Sequence, residues 1–434
     1  MNFSNETNNI SSLQSENANL RKAVQELSVL NDIASAINST NSVESIINLI
    51  VNKCIKHLQV EQCVVMLLDN KDKITEFHTM IRLADQSKIN LPLKLDTQLS
   101  GWMIQNKKPL IINDLSTDKR FLIQHKADMP INSLLCTPLV VKGELIGLIS
   151  VFNKKHDEEF SKNDERLLSI IASQSASVLE HARLYEEEQQ LISMKEEMRL
   201  ARNIQLKLLP NKLPIVEGYE IIASSTPAKD VGGDYYDFIE LPNNKLAFCL
   251  GDITGKGLPA AMLMSNLQAT LRGQILSNTK PCECITKANK LLYNSTDPDR
   301  FATLFYGVLD HQNDKIRFCN AGHDNPILIT RDGDIKHIDI GGLLMGAISE
   351  STYEDGELAL QNGDALIVYS DGITEAMNEN EEEYSLERLE GIVRENVKLS
   401  ATELHNTIIK EIDTHAHRAI QSDDITLLII KKIS

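Results

Sequence analysis

The chain has 434 residues, and its 44 Lys and Arg against 61 Asp and Glu leave a net charge of −17. Single cores seldom grow past roughly 250–300 residues, so more than one domain is expected. A surface this acidic excludes nucleic acid and anionic membrane as partners for the chain as a whole.

The N-terminus is polar, rich in Asn and Ser, and has no apolar signal core, so a cytoplasmic protein is expected. Ile10, Leu13, Asn17, Leu20, Val24, Leu27 and Asn31 then follow steps of three and four. That is a short heptad seam with Asn at two core positions, fit to pair two chains or to lie on the next domain.

Ser42 to Leu58 is helical by pattern, and Cys63–Asp69 and Pro109–Asp114 read as strands. Leu134–Val141 and Glu144–Asn153 flank Lys142-Gly143, a hairpin turn inside the most apolar stretch, which is therefore no membrane span. A helix from about Asp164 to Glu180 follows. The seven cysteines (Cys54, Cys63, Cys136, Cys249, Cys282, Cys284 and Cys319) include no C-x-x-C pair and read as reduced thiols.

Residues 184 to about 209 contain no Gly or Pro, and helix formers dominate. Leu184, Glu187, Leu191, Met194, Met198, Ala201, Gln205 and Leu208 form a second seam, weakened by its polar members, which suits helices that can shift against each other. The helix is expected to continue the preceding one and to stop before Pro210 and Pro214. Such a rod couples two domains mechanically, where a flexible linker would not.

From about residue 213 the aspartates sit at strand ends. Val231–Asp237 reads VGGDYYD. Leu246–Leu250 runs into GDITGKG at 251–257. Ala365–Tyr369 ends in Ser370-Asp371-Gly372, and Ser422-Asp423-Asp424 enters the strand Ile425–Ile430. Carboxylates in such turns converge without burying unpaired charge only if a cation joins them. Oxygen ligands with no His or Cys among them favour Mg²⁺ or Mn²⁺. GDITGKG has neither the spacing nor the Ser/Thr of a P-loop.

The first segment, through KPLIINDLSTDKRF, CTPLVVKGELIGLISVFNK and the closing helix, resembles a GAF domain, a small-molecule sensor module. Asn153-Lys154, Phe160 and Asp164-Glu165 are similar to the signature of GAF domains in cyclic-nucleotide phosphodiesterases and cyclases. In that signature the Lys and Asp resemble a buried structural ion pair more than ligand contacts. A cyclic nucleotide, another small ligand and no ligand all stay open.

The second half resembles the SpoIIE/RsbU branch of the metal-dependent PPM-type Ser/Thr protein phosphatases. The resemblance runs through RNIQLKLLP, VGGDYYD, GDITGKG, DRFATLFYGVLD, NAGHDNP, SDGITEA and SDDITLLII, in the family's order. It implies two stacked antiparallel sheets flanked by helices, and so an α+β chain: a GAF domain, a helical linker and a PPM-type β-sandwich. The expected divisions are a polar arm with the start of a helix (1–25), the sensor (26–183), the linker (184–212) and the phosphatase domain (213–434).

The resemblance also implies two divalent ions, Mn²⁺ or Mg²⁺. Asp252 would bridge them, the carbonyl of Ile253 and Asp234 would serve the second, and Asp371 and Asp423 would complete the first. Asp424 is the alternative to Asp423, and Asp237 stands behind the ligands. Two such ions activate a water for in-line attack on phosphorus. Lys229 is the nearest candidate for a phosphate-binding cation. His323 is expected to hold a turn, and His415 and His417 to be a solvated pair. The implied activity is a protein-serine/threonine phosphatase regulated by its GAF domain, acting in bacterial signalling on a phosphorylated anti-sigma-factor antagonist with a STAS domain. The two seams point to a homodimer. The rival reading is a cyclic-nucleotide receptor or docking protein with a catalytically silent phosphatase-like half.

Overall fold

The computed structural model describes residues 42–69, 76–80, 97–118 and 131–433, apart from 277–279 and 298, with isolated helical positions between 13 and 28. The chain divides into two compact units, Met1–Ser193 and Met194–Ser434. Within the first seam, Leu13, Asn17, Leu20, Val24 and Leu27 are helical and exposed, while Ile10 and Asn31 lie outside the described residues.

In the N-terminal unit, α1 (Val43–Leu58) is capped by Ser42, whose hydroxyl accepts from Ser45 N. Its Ile46, Ile47, Ile50, Cys54 and Leu58 recur at helical spacing and are buried. The elements β1 (Val60–Asp69), β2 (Glu76–Met80), α2 (Thr97–Asn106), β3 (Leu110–Ile112), β4 (Leu134–Val141) and β5 (Glu144–Lys154) follow. The strands form one antiparallel sheet in the order β2-β1-β5-β4-β3. The β4–β5 turn places Lys142 and Gly143 at φ 51° and 88°, the left-handed pair that a two-residue hairpin requires. Val65, Ile149 and Val151 on one face pack with Ile50 of α1 and with Ile171 and Leu179 of α3 (Lys162–Leu206). Val64, Met66, Leu148 and Phe152 pack on the other face with Met103.

The GAF signature is taken up by contacts within the unit. Lys154 Nζ lies 2.9 Å from Asp164 Oδ2, with both side chains largely buried. Asn153 Oδ1 accepts from the backbone N–H of Asn132 and Ser133, and Phe160 is buried. Glu165 pairs with the exposed Lys162.

Helix α3 is continuous for 45 residues, so the sensor's last helix and the linker are one element. It begins at Lys162 and gives way after Leu206 to two tighter turns, Lys207 N to Ile204 O and Leu208 N to Gln205 O, ahead of Pro210.

The C-terminal unit contains β6 (Tyr219–Thr226), β7 (Tyr235–Leu241), β8 (Lys245–Ile253), α4 (Leu258–Ile275), α5 (Pro281–Tyr293), β9 (Ala302–Asp310), β10 (Lys315–Ala321), β11 (Ile327–Ile329), β12 (Ile335–His337), β13 (Gly341–Gly342), β14 (Gly356–Ala359) and β15 (Ala365–Tyr369), then α6 (Asp371–Thr374), α7 (Leu386–Glu395), α8 (Ala401–Ala416) and β16 (Ile425–Lys432). One sheet runs β13-β10-β9-β8-β7, with β14 also on β10; the other runs β12-β11-β15-β16-β6. Phe248, Phe305 and Phe318 of the first sheet meet Leu366, Val368, Leu428 and Ile430 of the second between the layers. Helices α4 and α5 cover the outer face of the first sheet, and α7 and α8 that of the second. Strands β7, β8 and β9, and β15 and β16, are paired side by side, so their ends bring residues from distant stretches of chain together.

Candidate metal centre

Strand β8 ends in Asp252-Ile253, paired with Thr303 and Ala302 of β9. Just beyond, Gly255 and Gly257 have φ of 93° and 76°, left-handed values that let the chain turn tightly into α4. Asp234 immediately precedes β7, and Gly233 beside it faces β8. A Cβ on Gly233 would lie 3.0 Å from the Ile253 carbonyl oxygen and 3.7 Å from Asp252 Oδ1. The bare glycine therefore leaves a cradle in front of two of the expected oxygen ligands.

Asp234 is 3% exposed, and neither of its carboxylate oxygens has a hydrogen-bond partner. A buried, unpartnered carboxylate is costly unless a cation or proton satisfies it. Burial and the Asp252 charge push its carboxyl well above the usual range. Burial, with the charge of Asp423 adding to it, also raises Asp252. Asp371, at the start of α6, is pushed up to about 7 by burial and by the charges of Asp252 and Asp423. These groups resist ionisation together, and divalent cations relieve that resistance. The acids and the cradle thus fit a pair of hard cations. Among the described residues, no three His, Cys, Asp or Glu side chains already form a cage able to hold a metal ion.

The neighbouring aspartates 423 and 424 divide their work. Asp424 is 7% exposed and accepts from three backbone N–H groups, those of Ala228, Gly233 and Asp234. It holds the GGD loop against β16. Asp423 is more exposed and lies 2.8 Å from Lys256 Nζ, which also donates to Ser422 O at 2.6 Å. Asp423 is thus free of backbone N–H bonds apart from the one from Asp424 N, whereas Asp424 is fully engaged.

Asp237 stands apart from the other acids. It is 1% exposed and receives Arg272 Nε and Nη2 at 2.7 and 3.0 Å and Tyr235 OH at 2.7 Å. It ties α4 to the sheet. His323 is buried, which lowers its pKa to about 4, and its Nδ1 lies 2.9 Å from Thr303 Oγ1. Asn320 accepts from His323 N and donates to His323 O, so the Asn320 side chain holds the turn, while the imidazole Nε2 is buried without a hydrogen-bond partner. His417 is exposed and His415 is half-buried, and each has a side-chain neighbour. His415 contacts Arg388 and the carbonyl of Glu382 and meets the Tyr384 ring edge-on, and His417 pairs with Glu379.

Three contributors escape a reading of spacing alone: Gln205, Lys256 and Thr303. Lys256 stands in the GDITGKG motif, but its carboxylate partner is 167 positions further on. Gln205 occupies a seam position, yet it is 9% exposed and bonded to Gly232.

Residues 242–432 match the family of Stage II sporulation protein E, and residues 40–180 match the GAF domain. The C-terminal unit has the fold of the SiaA-PP2C domain of Pseudomonas aeruginosa, with a TM-score of 0.50 at 18% identity, covering 56% of this chain and 98% of that one. The C-terminal unit thus combines a match to the SpoIIE family with a PP2C fold, the fold of metal-dependent serine/threonine phosphatases. Along the chain a GAF-matching segment is therefore followed by a SpoIIE-matching one. It is 28% identical over 273 residues to the phosphoserine phosphatase RsbU of Bacillus subtilis, covering 61% of this chain and 78% of RsbU. It is 32% identical over 263 residues to protein IcfG of Synechocystis, covering 54% of this chain and 41% of IcfG. Among the described residues, no helix is long and apolar enough to cross a membrane.

Proposed function

We propose that the chain is a metal-dependent phosphoserine/phosphothreonine phosphatase regulated by its GAF domain. The unpartnered, buried carboxylate of Asp234 beside Asp252 and the Ile253 carbonyl carries this reading. Asp234, Asp252, Ile253 O, Asp371 and Asp423 would hold two divalent ions, Mn²⁺ or Mg²⁺. When bound, the ions acidify the attacking water and offset the charge of the phosphoryl group. The chain's own part is to hold the acids. Asp424 fixes the GGD loop through three backbone bonds, and Lys256 orients Asp423. No side-chain nucleophile is required.

Similarity to the phosphoserine phosphatase RsbU supports a phosphoserine protein as substrate, and a phosphorylated anti-sigma-factor antagonist with a STAS domain, met in the cytoplasm, goes with this reading. Leu184, Leu191 and Met194 of the second seam are 49–61% exposed, which supports a homodimer through these helices. The division into arm, sensor, linker and phosphatase domain at 1–25, 26–183, 184–212 and 213–434 goes with this reading. The engagement of Lys154 with Asp164 favours a structural role for the GAF signature over contact with a cyclic nucleotide.

The test is hydrolysis of an aryl phosphate and of a phosphorylated STAS protein by the full chain with Mn²⁺. Turnover abolished by EDTA and by Asp252→Asn supports the reading. Metal-independent turnover, or turnover that survives the substitution, overturns it.

A further inference from the structure

A phosphomonoester arriving at this centre is a dianion approaching five aspartates. Bound cations offset part of that charge, and a side-chain cation not already committed to a carboxylate would guide and hold the ester. Lys256 is committed to Asp423 and Arg272 to Asp237.

Arg300 is not. It is half-buried just before β9, and the chain beside it is tightly fixed. Thr254 N donates to Phe301 O, Phe301 N donates to Thr254 Oγ1, and the Thr254 hydroxyl donates back to Phe301 O, all at 3.1 Å. Ala302 pairs with Ile253 and Thr303 with Asp252, so Arg300 stands two residues beyond the strand pair that carries Ile253. Its guanidinium lies over the GDITGKG turn: a Cβ on Gly255 would come within 2.9 Å of Nη1. Among the described residues no carboxylate lies within ion-pair distance of this guanidinium. Lys229 lies over Gly257, where its Cδ would be 3.7 Å from an added Cβ, but it is exposed and its stem is flexible.

We propose that Arg300 binds the phosphoryl oxygens of the substrate at this centre. Its planar fork offers two parallel donors matched to a phosphate edge. Lys229, the cation nearest to Asp234 in sequence, then contributes only diffuse attraction. This inference rests on the phosphatase reading.

The test uses the full chain loaded with Mn²⁺ and inorganic phosphate as the probe, titrated calorimetrically, alongside aryl phosphate kinetics. Arg300→Ala is expected to weaken phosphate binding and raise KM by about tenfold or more. Mn²⁺ affinity and melting temperature stay at wild-type values. Arg300→Lys recovers part of the loss, and Lys229→Ala shifts both quantities by less than about threefold. Unchanged phosphate affinity and KM in Arg300→Ala overturns the proposal. So does a matching fall in Mn²⁺ affinity, which would make Arg300 a prop for the loop, and so does a wild-type chain that binds no phosphate. If phosphate binding depends on Arg300 but no ester is hydrolysed, the site stands and the phosphatase reading fails. If esters are hydrolysed and Arg300→Ala is silent, only the present proposal fails.

Discussion

Gln205 and Gly232 exchange two hydrogen bonds: Nε2 donates to the glycine carbonyl at 2.7 Å, and the glycine N–H donates to Oε1 at 3.1 Å. Gly233 and Asp234 come next in the chain, both donating to Asp424. The last turn of the 45-residue helix therefore holds the loop that carries an expected metal ligand. Gln205→Ala strands two buried backbone groups, each costing roughly 1–3 kcal/mol. We expect kcat/KM for an aryl phosphate to fall at least about tenfold, with weaker Mn²⁺ binding. Gln205→Glu keeps the acceptor and loses the donor, so an intermediate effect is expected. Wild-type metal affinity in both variants would show that the loop holds itself.

Asp423→Asn and Asp424→Asn should separate cleanly. Asp424 is buried and accepts three backbone bonds, and bonds to a charged acceptor contribute about 1.5–3 kcal/mol each. Its amide would turn an N–H₂ toward backbone donors, so we expect a loss of several kcal/mol in a denaturant melt even with EDTA present. Asp423 and Lys256 are 27% and 42% exposed, and such a pair contributes at most about 1 kcal/mol. Asp423→Asn should therefore melt near wild type while Mn²⁺ affinity drops sharply. The reverse pattern would make Asp424 the ligand.

Much of the fold could be read along the chain because its strands are local patterns closed by glycine turns. Ala365–Tyr369 is found where its apolar run predicts, and β8 extends the expected Leu246–Leu250 by one residue before it and three after it. The acids are legible because they punctuate strand ends. What could not be read is the partnership of residues far apart. Asp237 looks like the other acids, but Arg272 on the next helix claims it. Asp423 and Asp424 are indistinguishable as neighbours, and only the backbone of a loop nearly 200 residues earlier tells them apart. Gln205 reads as a weak point of a seam because its partner is the Gly232 backbone, which leaves no mark in a side-chain pattern.

Metal-free stability should fall as pH rises. Asp371 is pushed up to about 7 when folded, against about 3.9 in an unfolded chain. Between those values the folded form holds more protons than the unfolded form, so unfolding becomes easier as pH increases. The raised Asp234 and Asp252 act in the same direction. With EDTA, the melting temperature of the C-terminal unit should drop from pH 5 to pH 7.5. With Mn²⁺ the slope should flatten or reverse, because the ions bind the ionised acids. Parallel curves with and without Mn²⁺ would rule out metal binding at these carboxylates.

The Lys154–Asp164 pair makes the contrasting case, an acid already satisfied by its own chain. Asp164 receives Lys154 Nζ at 2.9 Å and both the backbone N–H and the hydroxyl of Ser161 at 2.7 Å. Its pKa is lowered despite burial, so its contribution is present above the usual carboxylate range and is lost as pH falls through that range. Both side chains are about 14% exposed or less, and removing one partner of a mostly buried pair costs roughly 3 kcal/mol. Asp164→Asn should lower the unfolding midpoint of the N-terminal unit accordingly. Glu165→Gln, whose partner Lys162 is 86% exposed, should change it by less than about 0.5 kcal/mol. If the signature is structural, neither cyclic AMP nor cyclic GMP will raise the midpoint of the wild-type unit. A rise that Asp164→Asn abolishes would instead place the nucleotide against this pair.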